Sequence, residues 1–150
     1  MVAREDPDIL CVTESWLSNQ IDSATLGLKS FSIFRNDRNS ATDPHGGVFL
    51  AIKSHLNPFL EKNSEIHELI IASFFSSNEK IKIVGAYRTP ALNSNENENF
   101  VNFLRDNLND CPSFILLGDL NCPNIDWENY VTQSRDENVF LSFVNENSLN

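Results

Sequence analysis

Two side chains capable of binding a ligand follow an apolar run in the C-terminal half of the chain. Residues 114–117 are all large and apolar, which is typical of a strand covered on both faces, and Gly118 then allows a close approach of the backbone to a ligand or a neighbouring strand. Asp119 and Asn121 follow, two positions apart, so they share one side if the strand geometry continues. Ligands of open α/β sheets bind beyond the carboxyl ends of strands, so the pair predicts a ligand site, or else the start of a turn.

A second carboxylate has the same placement near the N-terminus. Residues 9–13 form a short β-prone run that predicts a central strand, and Glu14 follows it directly. A carboxylate there can bind Mg²⁺, which takes one or two carboxylates and completes its shell with water and phosphate oxygens. The alternative is a glutamate in the first turn of a helix or loop, where the helix dipole favours it.

The composition limits the partners that such a site can have. The chain has 150 residues and 41% hydrophobic content, which suits one core and predicts a single domain. Its net charge is −10, from 21 acidic and 11 basic residues. The chain as a whole therefore does not attract nucleic acid, and a polyanion would need a local basic patch or a divalent cation.

The cysteines and the first residues bear on the compartment. Three cysteines without CxxC spacing indicate neither a disulfide framework nor a zinc site. The opening residues lack the apolar core of a signal peptide, and no run is long enough to span a membrane. We expect a reduced, intracellular protein, nuclear or cytoplasmic and not secreted.

The elements that would position these residues follow from the apolar patterns. Ile81, Ile83, Gly85 and Tyr87 alternate along one strand and share a face. Residues 93–99, rich in Asn and Glu, predict a solvated loop and helix start, and apolar residues then recur at helical spacing. The predicted strands are residues 9–13, 31–35, 48–53, 66–75, 80–87 and 114–117, the helices are residues 96–109 and a segment starting near 135, and residues 39–47 and 56–64 are a turn and a loop.

Five segments in one order produce a family resemblance. Together they resemble the endonuclease/exonuclease/phosphatase superfamily, and among its branches the apurinic-type endonuclease domain of non-LTR (LINE-type) retrotransposons. The segments are residues 8–17, 34–38, 46–48, 87–90 and 116–121, and residues 124–127 and 143–147 are also similar.

The resemblance implies a fold and a role for each candidate site residue. The fold would belong to the α/β class and form a four-layer sandwich, in which helices flank two mixed β-sheets. A metal-dependent phosphodiesterase site would lie at one end of the sandwich. Glu14 would hold Mg²⁺ or Mn²⁺, and Asp119 would orient or deprotonate the attacking water. Asn121 and the hydroxyl of Tyr87 would contact the phosphate, and Arg88 would contact the DNA backbone. The alternative for Tyr87 is a strand-end aromatic with its hydroxyl in water.

The chain departs from the family pattern at its ends. The family's domain opens with a strand bearing an asparagine and closes with a Ser-Asp-His sequence, and neither has a counterpart here. His45, His55 and His67 do not fit that histidine's position and are expected at the surface, and Thr89 replaces a usual proline. We therefore expect an incomplete copy of the domain, marginally soluble and a poor catalyst.

The resemblance and the departures from it leave two classes of function open for this chain. One is a DNA-nicking endonuclease associated with a reverse transcriptase, with a phosphatase of the same fold as the alternative within that class. The other is a non-catalytic remnant of such a domain.

Overall fold

The structure, a computed structural model, describes residues 5–38, 45–90 and 92–149. Residues 39–44 of the predicted turn therefore lie outside the described residues. The chain divides into two units: Met1–Tyr87 with Cys111–Asp119, and Arg88–Asp110 with Leu120–Asn150.

The first sheet of the first unit has three antiparallel strands. These are β1 (Ile9–Thr13), β2 (Phe31–Asn36) and β3 (Val48–Lys53), in the order β1-β3-β2. The prediction that β1 is a central strand is wrong, because among the described strands it pairs with β3 alone. Its apolar character follows from packing between sheets rather than from a central position, and Val12 on its other face is 36% exposed.

The second sheet has four strands and is mixed. Its strands are β4 (Phe59–Asn63), β5 (Glu68–Ser76), β6 (Glu79–Tyr87) and β7 (Phe114–Asp119), in the order β4-β5-β6-β7. The β6–β7 pair is parallel and the other two pairs are antiparallel. A two-residue turn joins β5 to β6, with positive φ at both Ser77 and Asn78, as tight hairpins require.

Two predictions about this sheet are wrong. Residues 56–64, predicted as a loop, begin with the last residue of a 3-10 turn (Ser54–Leu56) and contain β4. The strand gave no alternating signal because it lies at the sheet edge, carries a bulge after Leu60, and leaves Phe59 and Leu60 exposed. The apolar run of β7 is half-buried rather than covered on both faces, with Ile115 44% exposed at the opposite edge.

The inner faces of the two sheets form the core of the first unit. The predicted face of β6 is confirmed, since Ile83 and Ile81 pack into this core. Gly85 lies opposite β3, where an added Cβ would be 2.8 Å from Leu50 Cγ, so its lack of a side chain lets the sheets approach. The fully or largely buried members are Val48, Leu50, Ile52, Ile70, Ala72, Phe74 and Ile83.

The second unit contains the two predicted helices. Helix α1 (Ser94–Leu108) and helix α2 (Arg135–Glu146) pack together, and two short strands, β8 (Ile125–Asp126) and β9 (Val131–Thr132), pair beside α2. Asn93 and Glu96 cap α1 through a reciprocal pair of side-chain to backbone hydrogen bonds. The Asn-rich start of α1 is not wholly solvated as predicted, because Asn97 is only 2% exposed.

The described elements confirm the predicted α/β class, with two larger sheets, the two-stranded β8–β9 sheet and two helices. The three-stranded sheet differs from expectation in being antiparallel throughout. Neither described helix is long and apolar enough to cross a membrane.

Candidate active site

Three of the predicted site residues come together in the first unit. Tyr87 and Asp119 are the last residues of the parallel strands β6 and β7 and are partners in their register. Glu14 follows β1 directly. The carboxyl ends of these three strands thus bring two carboxylates and a phenol to one edge of the first unit.

The hydroxyl of Tyr87 binds Glu14 rather than standing in water. It donates a hydrogen bond of 2.6 Å to Glu14 Oε1, and Tyr87 is only 8% exposed. This hydrogen bond, followed by burial and the negative charges of Glu14, Asp119 and Glu68, raises the pKa of Tyr87 to about 12. Tyr87 is therefore a protonated donor at neutral pH.

The backbone around Glu14 is held in an uncommon conformation. Glu14 and Trp16 have positive φ angles of 49° and 52°. The backbone amides of the two residues that follow Glu14 are fixed by hydrogen bonds. The amide of Ser15 donates to the carbonyl of Gly47 at 3.1 Å, and the amide of Trp16 donates to the carbonyl of Gly46 at 2.8 Å. A Cβ on Gly47 would lie 2.9 Å from Ser15 Oγ. The Gly-Gly pair therefore accommodates the segment that carries Glu14.

A glutamate that the sequence reasoning missed anchors this Gly-Gly segment. Glu68 accepts hydrogen bonds from the Gly47 amide at 2.5 Å and from Arg38 Nε at 2.6 Å. It stands at the start of β5 as the register partner of Tyr87. The only available signal was an acid at the edge of a long apolar run, and its partners depend on the pairing of distant strands.

Of the histidines expected at the surface, one contacts this region. His45 is exposed, and its ring contacts the exposed Trp16 ring with 4.7 Å between centroids and a tilt of 59° between the ring planes. His55 is also exposed, whereas His67 is half-buried just before β5.

The other two predicted residues, Arg88 and Asn121, belong to the second unit and bind each other. Arg88 Nη1 donates to the Asn121 carbonyl at 2.7 Å, and Asn121 Nδ2 donates to the Arg88 carbonyl at 2.8 Å. Arg88 is only 3% exposed. Its burial favours a structural role over the predicted contact with a DNA backbone.

The alternation predicted across Asp119 and Asn121 does not persist. Strand β7 ends at Asp119, and Asn121 has a left-handed φ of 45°. The period of two that places alternate side chains on one face holds only while the backbone remains extended. The spacing argument therefore stops at Asp119.

The carboxylates at this edge of the first unit suit a magnesium ion that takes only one or two ligands from the protein. Within residues 5–38, 45–90 and 92–149, no group of three or more His, Cys, Asp or Glu side chains could hold a metal. A full protein cage is not required, because Mg²⁺ binds through one or two carboxylates with water and phosphate oxygens. Glu14 is exposed and offers such a carboxylate, and the exposed Asp119 lies at the end of β7 in the other sheet of this unit.

The fold is of the mixed α/β class, with two carboxylates and a phenol at one edge of the first unit. The chain belongs to the Endonuclease/Exonuclease/phosphatase family, whose model matches residues 1–143. This confirms the resemblance derived from the five sequence segments. No curated protein matches the sequence.

Solved structures support the same fold. The endonuclease domain of TRAS1, a telomere-specific non-LTR retrotransposon, has a TM-score of 0.63 and 12% identity over 97% of this chain and 62% of its own. The AP endonuclease LMAP from Leishmania major gives 0.63 and 15% over 97% and 59%. TDP2 from D. rerio, complexed with a single-strand DNA product, gives 0.56 and 14% over 93% and 54%. At these identities the likeness shows the fold, and the chain spans about three fifths of the first two structures.

Proposed function

We propose that this chain carries the catalytic side chains of a metal-dependent phosphodiesterase that nicks DNA, as part of a retrotransposon-like element. The observation that carries the proposal is the meeting of Glu14, Tyr87 and Asp119 at the ends of β1, β6 and β7. Support also comes from the family and from neighbours that include a retrotransposon endonuclease domain and a protein complexed with DNA.

Each side chain has a role that its surroundings favour. Glu14 would hold Mg²⁺ or Mn²⁺, which when bound would offset negative charge on the phosphate oxygens. Asp119, an exposed carboxylate, would orient the attacking water and accept its proton. Tyr87 stays protonated, and its single O–H, which donates to Glu14 in this structure, would donate instead to a phosphate oxygen when the substrate binds.

Asn121 would donate to the phosphate, and Arg88 would hold Asn121 in place. A phosphodiester needs hydrogen-bond donors where negative charge develops during in-line attack, and a carboxamide provides them without adding charge. Since Arg88 is buried and occupied by carbonyl oxygens, we assign it to the support of Asn121.

Nicking of supercoiled plasmid tests the proposal. One cut relaxes the plasmid, so the assay detects slow turnover even if the 150-residue chain is a poor catalyst. We expect relaxation with Mg²⁺ or Mn²⁺ that EDTA stops and that Asp119→Ala abolishes, while Asp106→Ala on the exposed surface of α1 changes nothing. Equal nicking by the chain and its Asp119→Ala variant would reject the assignment.

A second assay separates the alternatives. Bis-p-nitrophenyl phosphate is a diester and p-nitrophenyl phosphate is a monoester. Preference for the diester supports a nuclease, and preference for the monoester supports a phosphatase of the same fold. No Asp119-dependent hydrolysis of plasmid or either ester would support the non-catalytic remnant.

A further inference from the structure

The mutual hydrogen bonds of Arg88 and Asn121 are part of a larger buried arrangement in the second unit. Besides the Asn121 carbonyl, Arg88 Nη1 reaches the Leu120 carbonyl at 3.3 Å. On its other side, Arg88 Nε donates to Asn97 Oδ1 at 2.8 Å. The guanidinium thus connects helix α1 to the two residues that follow β7.

Asn97 is itself fixed by the turn that precedes it. Its Nδ2 donates to the carbonyls of Leu92 at 3.0 Å and Asn93 at 3.1 Å. With both N–H groups directed at carbonyls, the oxygen of the carboxamide faces Arg88. Asn93 also caps α1, so the anchor belongs to a well-defined helix start.

Arg88 is held by geometry rather than by ion pairing. Its hydrogen-bond acceptors are the neutral oxygens of Asn97, Leu120 and Asn121. A guanidinium has donors on three nitrogens in a rigid planar fork, so it can reach acceptors on different sides at once, whereas the three donors of a lysine ammonium share one nitrogen. The arrangement therefore fixes the backbone at Asn121, where the left-handed φ of 45° needs support.

We propose that Asn97 is a positioning residue that acts through Arg88 to set the conformation of Asn121. Asn97 is 2% exposed, which is too buried for direct contact with a substrate. The consequence for catalysis rests on the proposed function, in which Asn121 donates to the phosphate. A small displacement of such a donor costs about 100-fold in rate, because the productive geometry is narrow.

Two variants at position 97 separate positioning from general support of the fold. Asn97→Leu removes the acceptor for Arg88 and both donors. Asn97→Asp keeps the acceptor and removes only the donors to Leu92 and Asn93. Both variants lose stability, but only Asn97→Leu loses its hold on Arg88. If Asn97 were merely structural, turnover would follow stability in both.

NMR provides a readout that does not depend on activity. In the 150-residue chain, we expect the Arg88 Nε–H to exchange with solvent far more slowly than that of Arg135, which is exposed. Asn97→Leu should speed this exchange and shift the Asn121 side-chain amide signals, whereas Asn97→Asp should preserve both. Rapid Arg88 exchange in the unmodified chain, or unchanged Asn121 signals in Asn97→Leu, would overturn the proposal.

Plasmid nicking then tests the catalytic consequence. We expect Asn97→Leu to lower kcat about 10- to 100-fold with little change in KM, and Asn97→Asp to stay close to the unmodified chain. In an Asn121→Ala background, Asn97→Leu should cause no further loss. Additive losses would refute action through Asn121. If the unmodified chain does not nick at all, the proposed function fails, while the NMR comparison still decides whether Asn97 positions Asn121.

Discussion

The hydroxyl of Tyr87 donates a 2.6 Å hydrogen bond to the carboxylate of Glu14, although 73 positions separate the two residues. The bond joins the end of a strand in the four-stranded sheet to the residue that follows a strand of the three-stranded sheet. The hydrogen bond therefore fixes the orientation of both the Tyr87 hydroxyl and the Glu14 carboxylate.

Tyr87→Phe tests this contact with a minimal change. We expect turnover to fall about 100- to 1,000-fold, since one preorganised donor is lost, and stability to fall by only about 1 kcal/mol because the exposed Glu14 can rehydrate. Plasmid nicking and urea unfolding measure the two effects. Tyr130→Phe, at a tyrosine that is 37% exposed, should change neither. A large loss of stability with normal turnover would assign Tyr87 to the fold alone.

Glu14→Ala and Asp119→Ala should fail in different ways. Loss of Glu14 should raise the Mg²⁺ concentration needed for half-maximal nicking, because a carboxylate ligand is removed. Loss of Asp119 should lower turnover much more than DNA binding, because the water is no longer activated. Titrations of metal and DNA separate these effects, with the exposed Glu98→Ala as a matched control. Identical metal dependence of Glu14→Ala and the unmodified chain would exclude Glu14 as a ligand.

Gly118→Ala should be severely destabilising. Gly118 has a φ of 138°, and an added Cβ would lie 1.8 Å from the Ala86 carbonyl oxygen on the neighbouring strand. We expect a loss of about 3 kcal/mol or more in the free energy of unfolding, or failure to fold. Gly27→Ala is the control, since its φ of 71° is strained but no atom lies within 4 Å of the new Cβ. It should cost about 1 to 2 kcal/mol. Similar losses in the two variants would contradict the close approach at Gly118.

Cys11 should react slowly in the folded chain. Burial raises the pKa of its thiol from 9.0 to about 11. At pH 8 the thiolate fraction, and with it the rate of alkylation, should be about 100-fold lower than in the urea-unfolded chain. Iodoacetamide labelling followed by mass spectrometry of the Cys11 peptide measures both rates. Equal labelling in the two states would show that the thiol is not buried.

The same shift predicts a pH dependence of stability. The folded chain keeps the Cys11 proton between pH 9 and about 11, where the unfolded chain has released it. The stabilising contribution is therefore complete below pH 9 and is lost as the pH rises through about 11. Urea midpoints of the unmodified chain and Cys11→Ala should converge over this range, and a constant difference would argue against the shift.

The sequence predicted most elements because their apolar patterns were strong. Strands β1 and β3 and the start of α2 have the predicted bounds. Strand β4 was missed because its bulge and exposed apolar residues hide the alternation. The prediction that β1 is a central strand was wrong, because an apolar run indicates only that a strand is buried. It does not distinguish packing against another sheet from a position in the middle of its own sheet.

The site was predictable only in part. Glu14, Tyr87 and Asp119 could be placed at strand ends, since each follows or closes an apolar run. Glu68 and Asn97 could not be found, because their partners depend on long-range register and on the packing of α1. One asparagine in an asparagine-rich segment carries no distinguishing signal, although it is the residue that becomes buried.

The parallel pairing of β6 and β7 has a consequence for the order of folding. Strands β5 and β6 are joined by a two-residue turn and can pair early. Tyr87 and Asp119 come into register only after the whole segment from Arg88 to Ser113 has closed into a loop between β6 and β7. Since closing a long loop costs entropy before any contact is gained, this pairing should form late. The carboxylate edge would therefore assemble at the end of folding, after most of the apolar surface has been buried.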